Sequence, residues 1–502
     1  MNSLIRKFFG SPDISDPWPE QTELIRWNGT QPWTIADSFE GVQVFGDTGS
    51  GKSSASAVVL ASAMLRAGYG GLVLTVKPED RETWFDWARR NGREDDLVLF
   101  GPGYGTNFNF LAYQAEHGER QGLGVRPAVD LLYELVKLAG TATQANDSFW
   151  QQAARNMIAH AMEIVVAAGG QPSMQVLHEF VLNAPKSVAQ ARDPLWQSAS
   201  PCWSIIQRAR SQQPKSLDVQ LAVDYWLVQH CELNSRTRTS IEITFTAGVA
   251  AKFSGTLMDQ LFGCPYSPAT TQSPRFRTVT SDDLSAGKIV LVDLPVKTYG
   301  NDGRFAGVVW KYCTQIAMER RANKERPVFI FSDESHFFLT ENDPDFQSTA
   351  RSARCCTVYL TQNLGSYYAT NPGAAGQQRV LSLLANLKTR ILHQSSHTDT
   401  RNWLSESVGK HRVERRTEST NFGKGQPTYS ESKTLSDEYW IDPSAAALLK
   451  TGGASYGGIV TAIVAKAGKK FSDGRPWLEA KFEQGKIESS WWRNRTGVVV
   501  KL

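Results

Sequence analysis

Val42-Gln43-Val44-Phe45-Gly46-Asp47-Thr48-Gly49-Ser50-Gly51-Lys52-Ser53-Ser54 is the stretch on which the fold turns. Val42 to Phe45 is a short β-branched and aromatic run that predicts a buried strand. Gly46 to Ser53 matches G-x-x-x-x-G-K-[ST] at every fixed position. Ser54 to Ala67 is rich in Ala, Val and Leu and predicts a helix. Strand, glycine loop and helix in that order form a phosphate cradle. The glycines let the backbone turn tightly and aim its N–H groups at an anion. The positive end of the helix dipole faces the same point. Lys52 adds a charge near the β- and γ-phosphates, and Ser53 supplies a hydroxyl ligand for Mg²⁺. Gly46 to Ser54 is therefore expected to bind ATP with Mg²⁺.

Working outward, Gly71 to Val76 and Leu97 to Phe100 predict further strands. From about residue 115 to 263 the apolar period becomes helical, as in Val129 to Leu138, Phe149 to Ala168 and Val176 to Asn183. Strands return at Lys288 to Leu294, Val328 to Ser332, Thr357 to Thr361, Lys388 to Leu392 and Gly458 to Val464, with helices at Phe305 to Arg321 and Phe346 to Arg354. Alternating strands and helices imply an α/β fold with a mostly parallel sheet. The expected architecture is a RecA-like P-loop NTPase domain, residues 41–114 and 264–465, with an all-α domain inserted at 115–263. Residues 1–40 read as an N-terminal extension and 466–502 as a C-terminal tail with weak short strands. The segment His411 to Ser436 is polar, basic and glycine-containing, and reads as a mobile loop or a long hairpin.

Val328-Phe329-Ile330-Phe331-Ser332-Asp333-Glu334 is an apolar run ending in two carboxylates. Such a run is expected beside the phosphate-loop strand, with Asp333 holding Mg²⁺ and Glu334 polarising the attacking water. A merely solvated strand end is the competing reading, and the intact phosphate loop weighs against it. Thr357 to Asn363 is a buried strand with an amide at its end. Gln362 is expected to sense the γ-phosphate or the lytic water. Arg351 and Arg354 lie between these strands, and one of them could neutralise transition-state charge. His336 reads as a structural histidine more readily than a catalytic one.

Across its 502 residues the net charge is +4, so nucleic acid is neither demanded nor excluded. Six cysteines without a C-x-x-C pair point away from zinc and toward a reducing cytoplasm. No window reaches the roughly 18 apolar residues a membrane helix needs, so direct membrane insertion is not expected.

Several stretches together resemble the HerA/FtsK superfamily of ring motors, and within it the TraG/TraD-like coupling proteins of type IV secretion and conjugation. They are the phosphate loop, Val76-Lys77-Pro78-Glu79-Asp80, Asn107-Phe108-Asn109-Phe110-Leu111, Phe149 to Arg155, Gly287 to Pro295, the acidic strand, and Ala350 to Arg354 leading to Thr361-Gln362. The family's N-terminal membrane helices have no counterpart here. The resemblance implies a homo-oligomer, a hexamer, with ATP at subunit interfaces, DNA in a central channel, and Arg351 acting on the neighbouring subunit's ATP. Basic residues that could meet DNA phosphates are Arg208, Arg210, Lys215, Arg236, Arg238 and those from Lys410 to Arg416. The alternative is a protein-directed ATPase or recruitment platform in a secretion or phage-defence assembly, partnered by a relaxase, nuclease or secretion protein. A small-molecule kinase is disfavoured by the second acid, the Gln362 strand and the large helical insertion.

Overall fold

The computed structural model describes residues 16–139, 147–263, 277–421 and 428–484. Cys264, Trp491-Trp492 and the segment Met1 to Gly10 lie outside them. The strands in chain order are β1 Glu23–Trp27, β2 Gln31–Thr34, β3 Val42–Phe45, β4 Gly70–Leu74, β5 Leu97–Phe100, β6 Thr106–Asn107, β7 Arg277–Thr278, β8 Ile289–Val292, β9 Val328–Ser332, β10 Cys355–Thr361, β11 Thr389–Leu392, β12 Lys410–Asn421, β13 Thr428–Tyr439, β14 Ile459–Lys466 and β15 Trp477–Glu483.

Nine of them form one sheet in the order β15-β14-β11-β3-β10-β9-β4-β8-β5. Every pairing from β11 to β5 is parallel; β14 and β15 add antiparallel at one edge. Every residue of β3, β4, β8, β9, β10 and β11 is buried. A parallel sheet is covered on both faces, so its strands are apolar throughout rather than alternating. One face packs Val42, Val44, Phe329 and Phe331 against Leu60, Met64 and Trp84. The other packs Phe45, Leu72 and Val290 against Trp310 and merges with Leu131 and Ile158 of the helical region.

Between β6 and β7 the described residues form helices and no strand, among them Arg126–Ala139, Asp147–Ala167 and Pro201–Gln212. Beta pairing of Thr106 with Arg277 and Asn107 with Thr278 ties the two ends of this region together. Phe110, read as part of the nucleotide-binding domain, packs on Phe253 and Phe262 of the helical region at centroid distances of 5.3 and 5.7 Å.

Four expectations change. First, the acidic strand β9 does not adjoin β3; β10 runs between them, because strand order is a long-range property that no local pattern records. Second, a short strand expected in the tail, β15, joins the main sheet as its edge, and its alternating burial suits a strand covered on one face only. Third, within the N-terminal extension residues 23–34 form the hairpin β1–β2, where no strand is expected. Trp27 and Trp33 are buried there, and the Trp33 indole N–H donates to Thr389 Oγ1 on β11 at 3.1 Å. Fourth, the helix expected to reach Arg354 ends at Thr349, and Arg354 turns the chain into β10 with φ 49°. Of the two readings offered for 411–436, the described residues form the long hairpin, β12 pairing with β13 from Lys410↔Tyr439 to Asn421↔Thr428.

Candidate nucleotide site

The phosphate loop leaves the C-terminal end of β3, where Gly46 N–H donates to Gln362 O at 3.1 Å. Gly46 has no room for a side chain: a Cβ would meet Ser50 Oγ at 2.6 Å and His393 Cβ at 2.7 Å. Gly51 sits at φ +89° with Val460 of β14 pressed against it. Residues Ser53–Ala57 open the following helix with a π-turn before the α-helix Val58–Arg66.

Lys52 is buried, its ammonium donating to Gly46 O at 2.5 Å and Asp47 O at 3.2 Å. Burial lowers its pKa, and the carboxylates of Glu334 and Asp333 oppose that shift. Asp47 is itself anchored, accepting from Ser396 N–H at 2.7 Å.

Across the intervening strand, Ser53 Oγ donates to Asp333 Oδ2 at 3.3 Å. The Lys77 ammonium lies 3.7 Å from the same oxygen. Asp80 fixes that lysine's turn by accepting from the backbone N–H groups of Val76 and Lys77, each at 2.8 Å. Two oxygen ligands this close, one of them charged, suit Mg²⁺, which takes few protein ligands and completes its shell with phosphate and water. Among the described residues no group of three or more His, Cys, Asp or Glu could hold a metal ion without such help.

Glu334 is buried and lies in the left-handed region at φ 52°, uncommon for a residue with a side chain. Its Oε1 accepts from Gln362 Nε2 at 3.2 Å and its Oε2 from Thr361 Oγ1 at 3.5 Å. His336 Nδ1 is 2.8 Å from Thr361 Oγ1 and 3.6 Å from Glu334 Oε2. Burial, with Lys297 and Arg304 nearby, pushes the His336 pKa down to about 4, so the ring is neutral near pH 7. These residues wall a cleft of about 490 Å³, within the range of small-ligand sites.

The structure thus brings together Gly46 to Ser54, Asp333, Glu334 and Gln362. It does not bring Arg351 to them. Arg351 precedes the N-terminal end of β10, exposed, with Glu20 Oε2 at 3.4 Å and Glu40 Oε1 at 3.7 Å. The cleft is at the other end of that seven-residue strand, roughly 20 Å away at the rise of an extended chain. Arg354 is bound within its own chain, to Asp16 Oδ2 at 2.7 Å and Trp18 O at 2.5 Å.

Sequence reasoning missed Lys297 and Gln484, which line the cleft, and His393. The His393 ring is fully buried behind the loop, Nε2 2.8 Å from Ser56 Oγ. Burial, with Lys52 nearby, pushes its pKa down to about 3. No local motif marks these three. Lys77 lies in a stretch the family resemblance singled out, without a role.

Of the proposed DNA contacts, Arg208, Arg210, Lys215 and Arg236 are exposed. Arg238 instead donates to Leu233 O at 3.2 Å and Cys231 O at 3.4 Å, closing its own helix start. Arg412, Arg415 and Arg416 of β12 pair with Asp437, Glu438 and Glu431 of β13.

Residues 327–446 match the family model described as the TraM recognition site of TraD and TraG. That span holds the acidic strand, β10 and the long hairpin. Over the whole chain the fold is similar to the bacterial conjugative coupling protein TrwBΔN70 in an unbound form, with a TM-score of 0.57 and 15% identity, covering 94% of this chain and 92% of that one. Plasmid coupling protein TrwB in complex with ADP and Mg²⁺ (TM-score 0.55) and with a non-hydrolysable ATP analogue (0.56) is similar at 16% identity, again over 94% and 92% of the two chains. No curated protein matches the sequence. The resemblance to TraG/TraD-type coupling proteins drawn from the motifs therefore holds in fold and in the matched segment. Among the described residues no helix is long and apolar enough to cross a membrane.

Proposed function

We propose that this chain is an ATP-hydrolysing ring motor that binds and translocates DNA, in the manner of a conjugative coupling protein. One observation carries the reading: the Ser53 hydroxyl and the Asp333 carboxylate meet at 3.3 Å beside Lys52, with Glu334 and Gln362 joined at 3.2 Å next to them. A triphosphate seated on the loop amides has its β- and γ-phosphates at Lys52. Mg²⁺ held by Ser53 and Asp333 would neutralise charge on those phosphates. Glu334 takes the proton of the attacking water, and Gln362, already on its carboxylate, reports loss of the γ-phosphate along β10. Arg351 cannot serve its own subunit's cleft from the far end of β10 and acts on a neighbour, so an isolated subunit hydrolyses slowly. Exposed Arg208, Arg210, Lys215 and Arg236 contact phosphates, which give affinity without reading sequence.

The test is an ATPase assay on a size-resolved oligomer, with and without duplex or single-stranded DNA. Activity rises with DNA and falls with salt; no stimulation by either DNA at low salt overturns the DNA track. Rings mixed from Arg351→Ala and Lys52→Ala subunits regain activity if the arginine acts across the interface.

A second reading, an ATPase directed at a protein partner, draws on the matched segment's description as a recognition site for TraM. It also draws on the hairpin's balance of five basic and five acidic residues, which gives DNA no net attraction there. Stimulation by a co-purifying relaxase or secretion protein, and not by DNA, would favour it.

A further inference from the structure

The cleft has a second end that the motifs do not account for. Lys52, Asp333 and Glu334 mark where the terminal phosphates lie. Ser53 and Ser54 begin the helix, so the α-phosphate lies toward them and the nucleoside must leave the loop past Ser54. The residue waiting there is Gln484, immediately after β15, the edge strand on the far side of β14 and β11 from the phosphate loop.

Its side-chain amide is held at both ends, and its backbone is held once more. Gln484 Nε2 donates to Ser54 Oγ at 2.8 Å, and Oε1 accepts from Gly453 N–H at 2.8 Å. The backbone N–H of Gln484 donates to Gly458 O at 2.9 Å. Gly452 leaves the space for it: at φ +84°, a Cβ there would lie 2.4 Å from Oε1. Val460 of β14 packs directly on Gly51. The antiparallel pair β14–β15 thus touches the phosphate loop at Gly51 and Ser54, and it delivers one half-buried carboxamide to the cleft.

We propose that Gln484 contacts the base or ribose of the bound nucleotide, making β14–β15 the wall that reads the nucleoside half of the ligand. The inference rests on the ATP reading of this cleft. A carboxamide suits the task because it carries two donors and an acceptor on a flat group. Ser54 can act as donor or acceptor, so Nε2 can pass from the hydroxyl to a ribose oxygen or a base nitrogen without leaving the serine unpaired.

The experiment is calorimetric titration of the full chain and its Gln484→Ala and Gln484→Glu variants, in Mg²⁺ buffer, with ADP and with pyrophosphate. Pyrophosphate fills the phosphate end alone. Gln484→Ala is expected to weaken ADP about 5- to 10-fold, the scale of one hydrogen bond, and to change pyrophosphate less than about twofold. Gln484→Glu keeps the shape and removes the donor. It should weaken ADP with the melting temperature unchanged, separating a lost contact from a lost fold. Equal weakening of ADP and pyrophosphate would mean that Gln484 only braces the loop through Ser54, and the proposal falls. Unchanged ADP affinity in both variants also ends it. A wild-type chain that binds neither ligand sinks the ATP reading itself, and this inference with it.

Discussion

The long hairpin and the buried floor against β10 use the same charged groups to opposite ends. On the hairpin, ten charged residues of both signs face water. Arg412 and Asp437 meet at 3.5 Å with side chains 70% and 62% exposed. Against β10, Lys311 and Asp343 form an ion pair at 1% and 0% exposure, with Tyr359 donating to the same carboxylate. Asp343 there accepts from Lys311, Gln315, the Thr340 N–H, the Thr340 hydroxyl and Tyr359, drawing a helix, a loop and β10 onto one carboxylate. Burial alone would raise the Asp343 pKa, yet these partners, Lys311 foremost, hold it below the usual value. Burying charge costs several kcal/mol per ion unless every bond is made. The floor makes them and fixes one geometry against Tyr359 of β10. The hairpin's pairs are screened and replaceable.

The comparison breaks most visibly at the cleft itself. Glu334→Gln keeps the size and loses the charge, and should lower kcat by about 10²- to 10⁴-fold while ADP still binds; normal turnover would remove Glu334 from the role of base. Next comes Lys311→Met, which strands the Asp343 carboxylate out of water. Chemical denaturation should show a loss of about 3–5 kcal/mol, and the double variant Lys311→Met/Asp343→Leu should recover much of it. A single variant as stable as wild type would mean the floor is no more demanding than the hairpin.

Acid sharpens the contrast. His336 and His393 titrate in the fold at about 4 and about 3, against 6.5 when unfolded. Below pH 6.5 the unfolded chain therefore binds more protons than the folded one. Stability falls with pH through that window, by about 1.4 kcal/mol per unit for each histidine. His393→Gln should flatten the slope between pH 6.5 and 5 in thermal melts. Asp343 acts later and with the same sign: its depressed pKa contributes stability above the unfolded value of 3.8, lost as pH falls through the folded one. The smallest effect belongs to the hairpin, where Arg412→Ala should leave the melting temperature where it was. A clear drop would show that the hairpin's charges are not simply solvated.

How much of this was legible depends on whether the information is local. β3, β5 and β9 were placed to the residue because each is a short apolar run cut off by a loop glycine, a charged turn or an acid. The phosphate loop, Asp333, Glu334 and Gln362 carry their chemistry in their own neighbours. β15 reads only as a weak short strand of the tail, and not as part of the sheet, because Trp477-Leu478-Glu479-Ala480-Lys481-Phe482-Glu483 alternates between buried and solvent-facing residues. His393 and Gln484 join the phosphate loop from 337 and 430 residues away, and nothing near them in the chain announces it. The position of β10 between β3 and β9 was hidden for the same reason.

That middle position has a mechanical consequence. β10 is bonded along both edges, to β3 and to β9, so it can neither stretch nor slide without breaking two ladders at once. It acts as a strut of fixed length, with the Gln362 amide at one tip and Arg351 just beyond the other. Under the trans role proposed for Arg351, the spacing between one subunit's cleft and the arginine it would lend is set by the strut, and flexible loops cannot retune it.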